Sequence, residues 1–201
     1  MYRSKTLISM RRSPLLALCL LVAACHAGGG VREALDTRTG VTWAADRAPM
    51  VFARTEARYS RSARDYVYVG PVEVNRQGTR DYYLWVGIAT TLDRGYLAPA
   101  VDLPEKLYID IGDEVLEFAL QPWRLVVPIE GFEAAYPTAV ALRALFAARV
   151  TSSQIELLAR ERPRAARVAG AGSQSREYLL WDEGSAWQGF VARIEPPPAR
   201  P

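Results

Sequence analysis

Two stretches near the middle of the chain restrict its fold more than anything else in it. Asp65 to Val74 and Asp81 to Thr90 are dense in Tyr, Val, Trp and Ile, and Asn75-Arg76-Gln77-Gly78 supplies turn chemistry between them. This predicts a β-hairpin. In its second strand Tyr82, Leu84, Val86 and Ile88 share one face, and Tyr83, Trp85 and Ala89 share the other. Apolar residues on both faces predict a central strand covered on both sides.

A second hairpin is expected from Leu107–Ile111 and Val115–Leu120 around Gly112-Asp113, with shorter strands at Val41–Ala44, Met50–Ala53 and Leu125–Ile129. Later in the chain the signals turn helical. Thr151-Ser152-Ser153-Gln154 is a capping box, followed by Ile155, Leu158 and Ala159 and stopped by Pro163. Ser185-Ala186-Trp187-Gln188 is a second one, with Trp187, Phe190, Val191 and Ile194 at helical spacing. Tyr178 to Trp181 is expected as a strand. Thr138 to Val150 alternates like a strand while its alanines favour helix; the break demanded by the Thr151 cap tips it towards strand. Strands first and helices late give an α+β chain: a mainly antiparallel β-sheet or sandwich with two short amphipathic helices in the C-terminal third.

The start of the chain has a different character. Arg3, Lys5, Arg11 and Arg12 precede an apolar run of ten residues, Leu15 to Ala24. A membrane-crossing helix needs about 20 such residues, so a basic start, a short apolar run and a small-residue end describe a secretory signal. Met10, directly before Arg11-Arg12, is an alternative start. The run closes as Leu21-Val22-Ala23-Ala24-Cys25, which resembles the lipobox of bacterial lipoproteins. The resemblance implies cleavage after Ala24, diacylglycerol on Cys25, and stable anchoring by two or three acyl chains. Cys19 is a poorer match, since Leu18 is too large for the cleavage position. His26, not aspartate, follows Cys25; in enteric bacteria this favours the outer membrane, periplasmic face, over the inner membrane. The stretch Arg64 to Arg94 is similar to segments of uncharacterised proteobacterial lipoproteins, which brings no activity with it. A lipid-anchored β-sandwich is also similar, by architecture alone, to the outer-membrane lipoprotein of type VI secretion.

These readings divide the chain into a signal peptide (1–24), a lipidated flexible tether (25–40), one β-rich domain (41–195) and a Pro-rich tail (196–201). Cleavage changes the charge. The full chain carries 25 Lys+Arg against 22 Asp+Glu, and the leader takes four basic residues and no acidic ones, leaving 21 against 22. Nucleic acid is therefore not an expected partner.

Cys25 is consumed by lipid and His26 sits in the tether, so the body lacks the residues for Ser-His-Asp or Cys-His catalysis and for a His/Cys zinc site. Lys106 is its only lysine, with no Ser-x-x-Lys before it. The expectation is a non-enzymatic binding or structural module without a cofactor, with an envelope protein or glycan as partner. Two clusters are candidate sites. Arg160, Arg162, Arg164, Arg167 and Arg176 could contact anions such as lipid headgroups or acidic glycan. Asp110, Asp113, Glu114 and Glu117 gather at the second hairpin turn, where they could serve a carboxylate-dependent envelope hydrolase or a calcium-dependent adhesion module. Arg54, Arg58, Arg61 and Arg64 are spaced for a basic helical face beside Tyr59.

Overall fold

The computed structural model describes residues 30–92, 104–127, 135–170 and 175–194. In chain order the strands are β1 (Val31–Asp36), β2 (Val41–Asp46), β3 (Met50–Thr55), β4 (Arg64–Arg76), β5 (Thr79–Thr90), β6 (Pro104–Asp110), β7 (Val115–Ala119) and β8 (Gln121–Pro122). The turn α1 (Trp123–Val126), strand β9 (Leu142–Val150), helix α2 (Ser152–Glu161), strands β10 (Ala165–Gly170) and β11 (Arg176–Asp182), and helix α3 (Gln188–Ile194) follow.

β4 and β5 form the expected hairpin, paired from Asp65 opposite Thr90 to Arg76 opposite Thr79. Gln77 and Gly78 both have positive φ, 52° and 93°, the two-residue turn whose twist matches that of the strands. The Asn75 side chain accepts the Gly78 N–H at 2.8 Å. Both faces of β5 are covered, as its residue pattern requires. Leu84 and Val86 enter the main core, while Tyr83, Trp85 and Ala89 enter a second apolar layer outside the sheet.

β4 is long enough to serve two neighbours on its other edge. β3 pairs with its first half, Met50 opposite Val69, and β2 with its second half, Ala45 opposite Val72. Gly70-Pro71 stands at the hand-over. Pro71 has no N–H to give a ladder, and no strand faces it there. Tyr136 fills the gap: its hydroxyl donates to the Pro71 carbonyl at 2.5 Å and accepts the Asp46 N–H at 3.1 Å. Its ring lies against Gly70, where any Cβ would collide with it, and tilts against Trp85 at 5.3 Å.

From this centre the sheet curls. On one side come β9 and β8; on the other come β3, β11, β10, β6 and β7. Only Leu120 separates β7 from β8, so one run of chain is bonded to β6 at its start and to β9 at its end, Gln121 opposite Ala147. The sheet is thus one antiparallel layer curled into a nearly closed barrel, a shape the sequence reading left unstated. Its interior is packed with side chains such as Phe52, Val69, Leu84, Leu107, Ile109 and Phe146, as a barrel of about eight strands can be.

The helices stopper one end of it. Thr151 caps α2 as expected: its hydroxyl accepts the Gln154 N–H at 3.2 Å and the Gln154 side chain accepts the Thr151 N–H at 2.9 Å. Ile155 and Leu158 of α2 meet Phe190 of α3 and Trp187 in the core, all four fully buried. The second capping box does not form. Ser185 donates instead to the Ala48 carbonyl at 3.2 Å, and Ala186 and Trp187 take positive φ, so α3 starts at Gln188.

Two more expectations are corrected. Leu125 and Val126 belong to a helical turn, not a strand, because Pro122 at φ −52° leads into α1 and Val127 N–H bonds back to Trp123. Part of the expected tether is β1, held by pairing with β2 from Val31 opposite Asp46 to Asp36 opposite Val41. Of residues 138–150, Leu142–Val150 form strand β9, and 138–141 are irregular.

The Tyr136 contact yields a prediction. Tyr136→Phe strands the Asp46 N–H and Pro71 carbonyl and should cost about 1–3 kcal/mol. Gly70→Ala should cost at least as much, by overpacking. Chemical denaturation measures both; an unchanged midpoint for either variant would refute the role given to this contact.

Candidate binding surface

The candidate surface lies on the outer face of β11, β3 and β4. Along β11 the pleat turns Glu177, Leu179 and Trp181 outward and Tyr178 into the core. β11 pairs with β3 with Leu180 opposite Phe52 and then Asp182 opposite Val51, which leaves Trp181 as the extra residue of a β-bulge. Here the side chain is an indole 60% exposed, with Leu179 beside it 65% exposed. The Arg64 guanidinium lies over the indole, 4.6 Å from its centroid.

Across β3 the surface continues through half-buried Val51 and Ala53 to Tyr66, which stacks on Tyr68 at 6.0 Å. Val51 and Tyr66 pack on the same outer apolar layer that holds Tyr83, Trp85 and Tyr136. Over β5 and β9 that layer is covered by chain around α1 and residues 135–142. Over β3 and β11 no described element covers it. An exposed Trp–Arg pair on an apolar floor can stack on a sugar ring or anchor a protein contact. A second opening, an open cleft of about 410 Å³, lies between α1 and β9, lined by Pro122, Trp123, Arg124, Leu142, Arg143 and Leu145.

The arginine cluster read from the sequence is divided. Arg160 and Arg162 sit at the end of α2 and Arg164 just before β10. Arg160 pairs with Glu161 at 2.9 Å. Arg167 points outward from β10 over Tyr108, 5.4 Å from its ring. Arg176 pairs with Val168, the next residue along β10 and a core residue, so the pleat sends it to the opposite face from Arg167. The five arginines are thus spread over the end of α2 and both faces of the β10–β11 pair.

The acidic turn is likewise absorbed locally. Asp110 accepts the Gly112 N–H at 2.7 Å, and Glu117 pairs with Lys106 at 2.6 Å. Arg164 packs its guanidinium over Gly112, beside Asp113 and Glu114 in sequence. Among the described residues no three or more His, Cys, Asp or Glu side chains gather as a metal site.

Arg54, Arg58, Arg61 and Arg64 do not share a helix: they fall on β3, a loop and the first residue of β4. The reason is Glu56, buried in that loop, whose two oxygens bind Arg54 and Arg58 at 3.2 Å each. Cys25, Ala24 and the Pro-rich tail lie outside the described residues.

The sequence gives no sign of a buried carboxylate at Asp46. Asp46 ends β2 beneath α3, fully buried. Burial pushes its pKa up, opposed by the Arg47 N–H, the Ser185 hydroxyl and the Phe190 N–H in the first turn of α3. Its Oδ1 accepts the Arg47 N–H at 2.7 Å, while Oδ2 is buried without a hydrogen-bond partner, and no opening described above reaches it. Among the described residues no helix is long and apolar enough to cross a membrane. No protein-family model, curated protein or solved structure matches the chain.

Asp46 predicts a pH effect of definite sign. Its folded pKa lies above the unfolded value of 3.8, so the protonated form favours folding, and that contribution is lost as pH rises through the folded pKa. Asp46→Asn should therefore gain melting temperature relative to the parent between about pH 3.5 and pH 7. A difference that stays constant, or falls with pH, would contradict this.

Proposed function

We propose that this chain is a lipid-anchored protein of the bacterial cell envelope, held at the periplasmic face of the outer membrane through Cys25, and that its barrel is a non-enzymatic binding module. The lipobox-like Leu21-Val22-Ala23-Ala24-Cys25 supports the anchor. The single observation that carries the binding role is Trp181, placed at a β-bulge, largely exposed, and stacked by Arg64. A buried indole would contribute to the core; this one contributes little there and presents a rigid amphipathic face to a partner.

The finer reading of the fold belongs with this function: a small barrel seamed by β8 on β9 and stoppered by α2 and α3. A packed interior leaves the outside for recognition. The partner is another envelope component, protein or glycan, and no nucleic acid is proposed.

Two measurements test the reading. Cys25→Ser should leave the membrane fraction and take up no labelled palmitate; a variant that still fractionates with membrane, without palmitate, would sink the anchor. Crosslinked recovery from the native envelope should yield a specific partner, and Trp181→Ala should reduce that yield at least tenfold with melting temperature nearly unchanged. Equal recovery by the two proteins would remove Trp181 from the interface, and recovery of glycan alone would assign the surface to sugar.

A further inference from the structure

We infer that the helix-stoppered end of the barrel faces the membrane and that two hairpin tips, Asp36–Val41 and Arg76–Thr79, rest on its headgroup layer. This rests on the lipidation of Cys25 proposed above and adds an orientation to it.

The argument begins with Gly30. It is wedged between the first turn of α3 and the corner after β2: a Cβ on Gly189 would lie 3.0 Å from the Gly30 nitrogen, and one on Gly30 would lie 3.6 Å from the Asp46 carboxylate. The point at which the chain joins the domain is therefore fixed at the rim that α2 and α3 close. Cys25 is five residues earlier, and five residues span at most about 18 Å however they are arranged. Acyl chains on Cys25 hold the Gly30 rim within that distance of the headgroups.

The strands then set what lies between rim and membrane. Val31 stands opposite Asp46, one step beyond the Ala45–Val72 pair, so Gly30 is close to the level of Pro71 on β4. From there both β1 and β4 run on past the rim for six residues to Thr37 and Gln77. Six residues extend about 20 Å along a strand, or roughly 15 Å along the barrel axis at the usual tilt. The reach of the tips matches that of the tether.

In the other direction β4 runs back seven residues from Pro71 to Arg64, placing the Glu56–Ala63 loop at the far rim. The far rim is thus roughly 30 Å from the tips along the axis. Their chemistry suits contact without insertion. Arg38, Arg76 and Arg80 are interspersed with Asp36 and Asp81, and Thr37, Thr39 and Thr79 add hydroxyls. Among the described residues, Leu35 is the one large apolar side chain exposed beside them. Zwitterionic and hydroxyl-bearing headgroups match such a surface.

The test uses the full chain, purified with its lipid and reconstituted into phosphatidylethanolamine–phosphatidylglycerol vesicles that carry a nitroxide on the headgroup. Thr37→Cys, Thr79→Cys and Arg61→Cys, all at exposed positions, are labelled with a fluorophore, and intact mass reports whether Cys25 is acylated. Labels at 37 and 79 should be quenched at least threefold more than the label at 61. With Cys25 acylated, equal quenching at all three positions, or strongest quenching at 61, overturns the orientation alone. An unmodified Cys25 overturns the anchor and the orientation with it.

Discussion

Everything in the sheet turns on a place where β4 loses its neighbour. In an extended strand a residue's N–H and C=O point to the same edge. The Pro71 carbonyl meets Tyr136 in the gap between β2 and β3, so the nitrogen that has no hydrogen faces the same gap. A proline elsewhere in β4 would break a ladder; here it falls where none is needed. Tyr136 then does for the backbone what a strand would have done, satisfying Pro71 and Asp46 together, and only a glycine at position 70 lets its ring approach. That junction allows one long strand to belong both to the barrel and to the β1–β2 flap beyond its rim.

Charge serves the architecture in the same local way. Glu56 gathers two arginines around a buried loop carboxylate, and Glu73, 1% exposed on the inner face of β4, meets Arg193 of α3 at 3.4 Å. Arg193 also reaches Glu33 of β1, so one side chain ties the stopper to the flap. Asp81 joins Arg76 and Arg149. The exposed pairs are each worth about 1 kcal/mol or less. Glu56 and Glu73 matter more, since each is a buried carboxylate whose charge is met by arginines reaching in from the surface.

The core of the fold was legible because it rests on local rules. The β4–β5 hairpin, its two-faced second strand and the Thr151 cap follow from alternation, a turn glycine and spacing of three. What escaped depends on contacts distant in sequence. Ser185-Ala186-Trp187-Gln188 has capping-box spelling, yet Ser185 is drawn to Ala48 and positive φ at Ala186 and Trp187 delays the helix to Gln188. Arg54 and Arg58 have helical spacing, yet Glu56 in the loop draws both to itself, one from β3 and one from the loop. Curling of the sheet depends on two residues of β8 finding β9, which no pattern in either segment announces. For the candidate surface, the sequence placed Trp181 at the end of an expected strand; the bulge at which it stands is a mismatch of register between β11 and β3, and register lies outside what either strand encodes alone.

The contact of Gly30 with Gly189 has a consequence for engineering. The helix that ends at Ile194 runs only five residues beyond that contact, about 7.5 Å of axial rise. The two ends of the described domain therefore share one rim, and a short glycine-rich connector could join them. Reopened in the exposed Ser60–Ser62 loop at the opposite rim, the same barrel would become a circular permutant, with new termini displayed as far from the old ones as the scaffold permits.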